Sequence, residues 1–294
     1  MWATLSLEEF VHNNSFCDVH NQLVCKVYEV WRGKTMLNEK VGIVTGGSVG
    51  IGRGVAEALC RQGARVAICG RRRDFLDQTA QQLEKIGYQI LAIPADVTIR
   101  GDVEHVVSTV VKKWGKVDIL VNNAGVSGRT PIDHPDDTRW LDILQVNLTG
   151  AYLCTKLVLP HMVGPNYGRV INMSSVLGRF GVPGYSAYCT AKHGILGFTK
   201  AIALEVASRG ITVNAICPTW VDTAMARQGI EETAAVIGVS AQEFRTQALA
   251  AVPIQRMAEV SEVAALALFL CSSDAAAMMG QAMNVCGGST AGSA

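Results

Sequence analysis

From Val41 onward the chain alternates short runs of aliphatic and β-branched residues with longer stretches in which apolar positions recur every three or four residues. This is the pattern of a parallel sheet covered by helices. Seven runs predict strands: 41–45, 64–69, 88–94, 117–121, 168–173, 211–216 and 282–286. They are continuously apolar rather than alternating, as expected where both faces of a sheet are covered. Between them, Val55, Ala58 and Leu59 form a helical stripe ended by Gly63, and Leu76, Ala80 and Leu83 a second ended by Gly87. Val103, Val106, Val107, Val110 and Trp114 form a third, ended by Gly115. Longer helices are predicted from about Asp136 to Pro160, Gly184 to Arg209 and Ser261 to Cys271. Between 222 and 258 the pattern weakens at Gly229, Gly238 and Pro253, which predicts a partly helical excursion before the last strand. The expected fold class is α/β: a single doubly wound Rossmann-type domain over 36–294, with about seven parallel strands and helices on both faces.

Composition adds limits. Of the 294 residues 49% are apolar and 17% charged, the latter below the roughly 25% of ordinary globular chains. Much of the chain is therefore expected to be buried in the fold or in contacts between subunits. The formal net charge is +1, with no basic run or acidic tail, so nothing calls for nucleic acid or an anionic membrane as partner. The longest apolar run, 263–270, is far short of the roughly 20 residues of a membrane span. Nine cysteines without a Cys-x-x-Cys pair, and six histidines without ligand spacing, predict free thiols, no metal site and a reduced, cytoplasmic setting. Residues 1–35 show neither period. They lack the basic start of a signal peptide and the Arg-rich, acid-poor makeup of a mitochondrial presequence, and are expected to be an extension dispensable for chemistry.

The first strand runs into Thr45-Gly46-Gly47-Ser48-Val49-Gly50-Ile51-Gly52 and then a helix. Glycines at such a junction let backbone amides and a helix N-terminus approach a pyrophosphate. No Gly-Lys-Ser/Thr follows, which excludes the nucleoside triphosphate loop. The second strand ends at Gly70-Arg71-Arg72-Arg73. An acidic residue there would bond the ribose hydroxyls of NAD, whereas Gly followed by Arg71 leaves room and positive charge for the 2′-phosphate of NADP. Tyr188 and Lys192 stand four residues apart on a predicted helix, hence on one face. They form either a surface pair or an acid–base pair in which the ammonium lowers the phenol's pKa.

These motifs stand in the order of the short-chain dehydrogenase/reductase family, which the chain resembles over about 37–290. They are Thr45-Gly-x3-Gly50-x-Gly52, Asp96-Val97, Asn122-Asn123-Ala124-Gly125, Asn147, Ser175 and Tyr188-x3-Lys192. The resemblance implies a catalytic set of Asn147, Ser175, Tyr188 and Lys192. It implies a dinucleotide held by Gly46, Ser48, Gly50, Ile51, Gly52, Arg71, Asp96, Val97, Asn123, Tyr188, Lys192, Val221 and Thr223. Ser174 reads as a hydrogen-bonded strand-end residue and Tyr185 as a pocket wall. Thr219 after Pro218, where the family carries Gly, and Val49, where many NADP-using members carry a base, depart from the pattern. The ending 281–288 looks like the 3-oxoacyl and polyketide ketoreductase branch. That implies NADPH, with NADH second, reducing a ketone that is acyl carrier- or CoA-linked, in a homotetramer. An NAD-dependent alcohol dehydrogenase and a non-catalytic dinucleotide sensor are the competing readings. Substrate choice is expected to rest with 127–138, 178–185 and the apolar excursion 222–250.

Overall fold

A computed structural model describes residues 36–291; the expectation for residues 1–35 lies outside the described residues. Strand β1 (Val41–Thr45) leads through the glycine turn into helix α1 (Gly50–Arg61). There follow β2 (Arg65–Gly70), α2 (Arg73–Lys85), β3 (Ile90–Pro94), α3 (Arg100–Trp114) and β4 (Ile119–Asn122). The second half holds α4 (Thr138–Leu144), α5 (Gly150–Val163), β5 (Gly168–Met173), α6 (Ser186–Val206) and β6 (Ile211–Pro218). It closes with α7 (Ala224–Ile237), α8 (Ala241–Ala250), α9 (Val260–Cys271) and β7 (Ala282–Val285). All seven strands are parallel, in the order β3-β2-β1-β4-β5-β6-β7. The order reverses between β1 and β4, and the carboxyl ends of these two strands open the crevice where such sheets bind ligands.

Each face buries its own core. Val55, Leu59, Leu76, Val263 and Leu270 pack on one side; Val103, Val107, Val158, Met162 and Val213 pack on the other. Two predicted strands begin two residues later than their apolar runs. Tyr88 donates its amide to Leu83 O, finishing the α2 turn, and the buried Asp118 carboxylate accepts from the Val41 amide at 2.8 Å. β6 runs two residues further than its apolar pattern because β7 pairs with it as far as Pro218. The excursion is more helical than its glycines suggested. Gly238, with φ +75°, does end α7, but Gly229 lies inside that helix against the Trp220 ring. The predicted helix from 136 to 160 is two helices joined by a π-helical turn at Gln145–Thr149, so Asn147 lies in that turn rather than in regular helix.

A chain of buried amides and hydroxyls ties the sheet to the helices beside the crevice. Asn122 Nδ2 donates to Thr155 Oγ1 of α5 at 2.9 Å and to Asn172 Oδ1 of β5 at 2.8 Å. Asn172 Nδ2 donates to Thr199 Oγ1 of α6 at 2.9 Å, and Thr199 donates to Ile195 O at 2.7 Å. Asn172 is fully enclosed, so removing its amide strands a donor hydrogen of Asn122 away from water. Asn172→Ala should lower unfolding free energy by about 2 kcal/mol in urea titration; an unchanged midpoint would show that the chain contributes nothing.

Candidate active site

The nucleotide end is built by close packing of backbone. Gly46 adopts φ +63°, and a Cβ on Gly52 would stand 2.3 Å from Gly46 O and 2.4 Å from Asn123 Nδ2. Asn123 fills the space so kept, its Nδ2 donating to Thr45 O at 2.9 Å and Gly46 O at 3.2 Å. Thr45 Oγ1 accepts from the Asn123 and Ala124 amides, which locks the ends of β1 and β4 together. Val49 at the α1 N-cap supplies no capping bond and the first turn carries no acid. The positive end of α1 therefore faces the crevice uncompensated.

A cleft of about 270 Å³ runs over this turn, lined by Gly46, Ser48, Gly50, Ile51, Arg71, Asp96, Val97, Asn123 and Thr223. Gly52 packs behind it. Asp96 Oδ1 accepts from the Thr98 amide and hydroxyl at 2.9 and 2.7 Å, which fixes the carboxylate at the rim. Beside Gly70 nothing stands within 4 Å of where a side chain would begin. The three arginines separate here: Arg71 lines the cleft, Arg72 lines it too but lies 4.1 Å over the Phe75 ring, and Arg73 opens α2.

A second cleft of about 420 Å³ adjoins the first and brings Asn147, Ser175, Tyr188, Lys192 and Val221 together. The two share Ile51, Asn123, Gly125, Thr223 and Met225, so one opens into the other. Ser175 caps a short turn by accepting from Leu177 N at 3.1 Å and donates its hydroxyl to Pro218 O at 3.5 Å; it lies near enough to the Tyr188 phenol to lower that group's pKa. Lys192 Nζ donates to Met173 O at 2.8 Å and lies 5.5 Å from the Tyr188 ring centre. Asn147 Nδ2 donates to Val126 O and Ile143 O, both at 2.8 Å. Its buried Oδ1 has no partner among the described residues.

The electrostatics correct one expectation. Burial pushes the Tyr188 phenol up to about 12, against a smaller lowering by the Ser175 bond, and Lys192 does not offset it. Burial likewise brings Lys192 down to about 8. Both shifts run toward the neutral form, because the low-dielectric crevice disfavours charge more than four-residue spacing favours it; Tyr188 stays neutral at physiological pH while Lys192 still carries its charge below about 8.

Further residues hold this geometry, some of them beyond those the sequence singled out. Ser174, a hydrogen-bonded strand-end residue as expected, donates its hydroxyl to Lys192 O at 2.9 Å and so registers α6 on β5. Thr130 accepts from the Ala187 amide at 3.1 Å, capping α6 from a distant loop. Trp220, Val252 and Ser289 join the wall of the second cleft. Trp220 lies beside Val221, which the motif marks, whereas Ser289, in the tail, carries no sequence signal. Tyr185 is a wall residue as expected, and the excursion contributes Met225 and Phe244. Its Ile230 instead turns into the core, while Val236 and Ile237 face outward. Thr219 needs no left-handed backbone; its amide donates to Val285 O at 3.1 Å. The seven described cysteines are free, Cys60, Cys69 and Cys217 among the buried ones. Among the described residues no three His, Cys, Asp or Glu side chains cluster as metal ligands, and no helix is long and apolar enough to cross a membrane.

Comparison with known proteins agrees with this geometry. Residues 40–234 match the short chain dehydrogenase family model. The chain is 42% identical over 250 residues to granaticin polyketide synthase putative ketoacyl reductase 1 of Streptomyces violaceoruber, covering 84% of this chain and 92% of that protein. It is 37% identical to D-beta-hydroxybutyrate dehydrogenase of Cupriavidus necator, over 86% of this chain and 98% of that one. The solved structure of an actinorhodin polyketide ketoreductase variant with NADPH superimposes with a TM-score of 0.83 at 41% identity, covering 85% of this chain and 97% of that chain. The chain belongs to the short-chain dehydrogenase family. It is an oxidoreductase working with a nicotinamide dinucleotide.

The buried lysine makes stability depend on pH. Lys192 ionises at about 8 when folded against its ordinary 10.5. Its charge therefore destabilises the fold fully below the lower value, and the penalty relaxes as pH rises between the two. Lys192→Met should melt above the parent protein at pH 7, with an advantage that shrinks toward pH 10.5; melting curves showing a pH-independent gap would contradict the burial.

Proposed function

We propose that the protein uses NADPH to reduce a ketone to a secondary alcohol, the substrate being a 3-oxoacyl thioester or a related polyketide-like carbonyl carried on an acyl carrier protein or CoA. The observation that carries this reading is the continuity of the two clefts, from the uncompensated α1 N-terminus to the Ser175–Tyr188 pair. The cleft fits a dinucleotide: Gly46 and Gly52 leave backbone where a Cβ would collide. Arg71, beside the open space at Gly70, suits a 2′-phosphate. Asp96 and Val97 would flank the adenine, and Val221 and Thr223 the carboxamide end.

The bound dinucleotide supplies a hydride for the carbonyl carbon. Everything else falls to the chain. Tyr188, protonated across the physiological range, gives its proton to the carbonyl oxygen as that oxygen gains negative charge. The Ser175 hydroxyl donates to the same oxygen and holds it against the phenol. Lys192, at hand in the same crevice, stabilises the phenolate left behind. Asn147 Oδ1 would accept from a water that returns a proton from solvent, since both hydrogens of its amide are already engaged. The apolar wall of α7 and α8 excludes bulk water from the reacting atoms.

The oxidative reading, an NAD-dependent alcohol dehydrogenase, keeps the support of the hydroxybutyrate dehydrogenase relative. With all four catalytic candidates in one cleft, the sensor reading has no feature in its favour. A homotetramer in the cytoplasm completes the proposal, in keeping with exposed Leu204 on α6 and Phe269 on α9. In it residues 1–35 are dispensable for turnover.

Two substitutions test the reading. Tyr188→Phe should leave NADPH binding near normal and lower turnover of a 3-oxoacyl thioester by at least about 100-fold; substantial residual turnover means the acid is misassigned. Arg71→Asp should raise the KM for NADPH roughly tenfold or more while sparing NADH. Equal effects on both cofactors would remove Arg71 from phosphate recognition.

A further inference from the structure

The wall that α7 and α8 give to the substrate cleft consists of Met225, Ala226, Gly229, Phe244, Ala248 and a single hydroxyl, that of Thr233. Met225, Gly229 and Thr233 recur every four residues and so share one face of α7. Across from this hydroxyl, Tyr185 brings its own: the Tyr185 and Thr233 oxygens lie 2.9 Å apart. Thr233 Oγ1 also lies 2.8 Å from the carbonyl oxygen of Gly229 in its own helix.

Counting hydrogens fixes the direction of both bonds. A threonine hydroxyl has one hydrogen and a carbonyl oxygen has none. Thr233 therefore donates to Gly229, and Tyr185 donates to Thr233. Both oxygens thus line the cleft with lone pairs alone. Tyr185 is held in place: it is 8% exposed, its ring lies 5.8 Å from the Arg129 guanidinium, and its backbone is bridged to Thr130. It stands at the N-cap of α6, and both it and Tyr188 line the same cleft.

We propose that Tyr185 and Thr233 form a specificity subsite that accepts a hydrogen bond from the substrate, so that the cleft selects ketones whose body carries a phenolic or enolic hydroxyl over plain acyl chains. The proposal rests on the reading of this cleft as the ketone site. A substrate ether or second carbonyl at that point would set lone pair against lone pair, which discriminates against it. Two substitutions have opposite consequences. Tyr185→Phe keeps the ring and removes the phenol oxygen, leaving Thr233 as the remaining acceptor. Thr233→Val removes the group that takes the phenol's hydrogen and turns Tyr185 into a donor facing the cleft.

The test is calorimetric binding to the protein saturated with the oxidised dinucleotide, so that no turnover intervenes. The ligands are 1-tetralone and its ring-hydroxylated and ring-methoxylated derivatives. At one ring position or more, the hydroxylated ligand should bind roughly tenfold tighter than its methyl ether. Tyr185→Phe should weaken that preference and Thr233→Val should shift it toward the ether. The proposal is overturned if no position shows the preference in the parent protein, if Tyr185→Phe leaves the preference undiminished, or if Thr233→Val leaves it unchanged. Failure of the ketone-reductase reading would register separately, as no oxidation of NADPH with any of these ketones.

Discussion

The register of β5 against α6 is the constraint on which the site depends. The strand ends in Asn172 and Met173 and runs on into Ser174 and Ser175, and the first three of these reach α6 at Thr199, Lys192 Nζ and Lys192 O in turn. The fourth then meets Tyr188. A slip of one residue along the strand would reverse which side chains face the helix, taking Ser175 away from the phenol. Gly178 marks how tight this seam is, since a Cβ there would lie 2.6 Å from Ser174 Oγ and 2.7 Å from Lys192 O.

The same seam buries Lys192, and the electrical consequence is unfavourable to stability. An amine and a phenol are held where neither ionises easily, with Lys192 near 8 and Tyr188 near 12. Such groups are retained where chemistry needs them, as active sites commonly trade stability for function. Strand order supplies the other half of the arrangement. Because the sheet reverses between β1 and β4, the phosphate-binding turn and the Tyr188 crevice open side by side, with Asn123 and Gly125 shared between their walls.

Local features of the sequence were legible. β1 and β5 fall on the predicted residues because continuous apolar runs end there in Thr45 and in Ser174-Ser175. The glycine turn, Arg71 at the end of β2, and the meeting of Asn147, Ser175, Tyr188 and Lys192 in one cleft followed from motif order. What escaped depends on contacts between distant segments. Asp118 withdraws from β4 because its carboxylate serves the Val41 amide. Thr130 caps a helix more than fifty residues away. Gly229 looked like a break because helix propensity counts against glycine, whereas in the fold it gives the Trp220 ring a place to rest. The direction of the Tyr188 shift was missed for the same reason: spacing along a helix reports which groups are neighbours but not how much water surrounds them.

The central claim is that Ser175 and Tyr188 converge on the oxygen of a carbonyl lying beside the dinucleotide. A crystal structure with the oxidised dinucleotide and an intact ketone tests it most directly. The account predicts the carbonyl oxygen within about 3 Å of both Ser175 Oγ and Tyr188 Oη, with the nicotinamide ring against the carbonyl carbon. A ketone bound in the cleft with its oxygen turned away from both hydroxyls would contradict it.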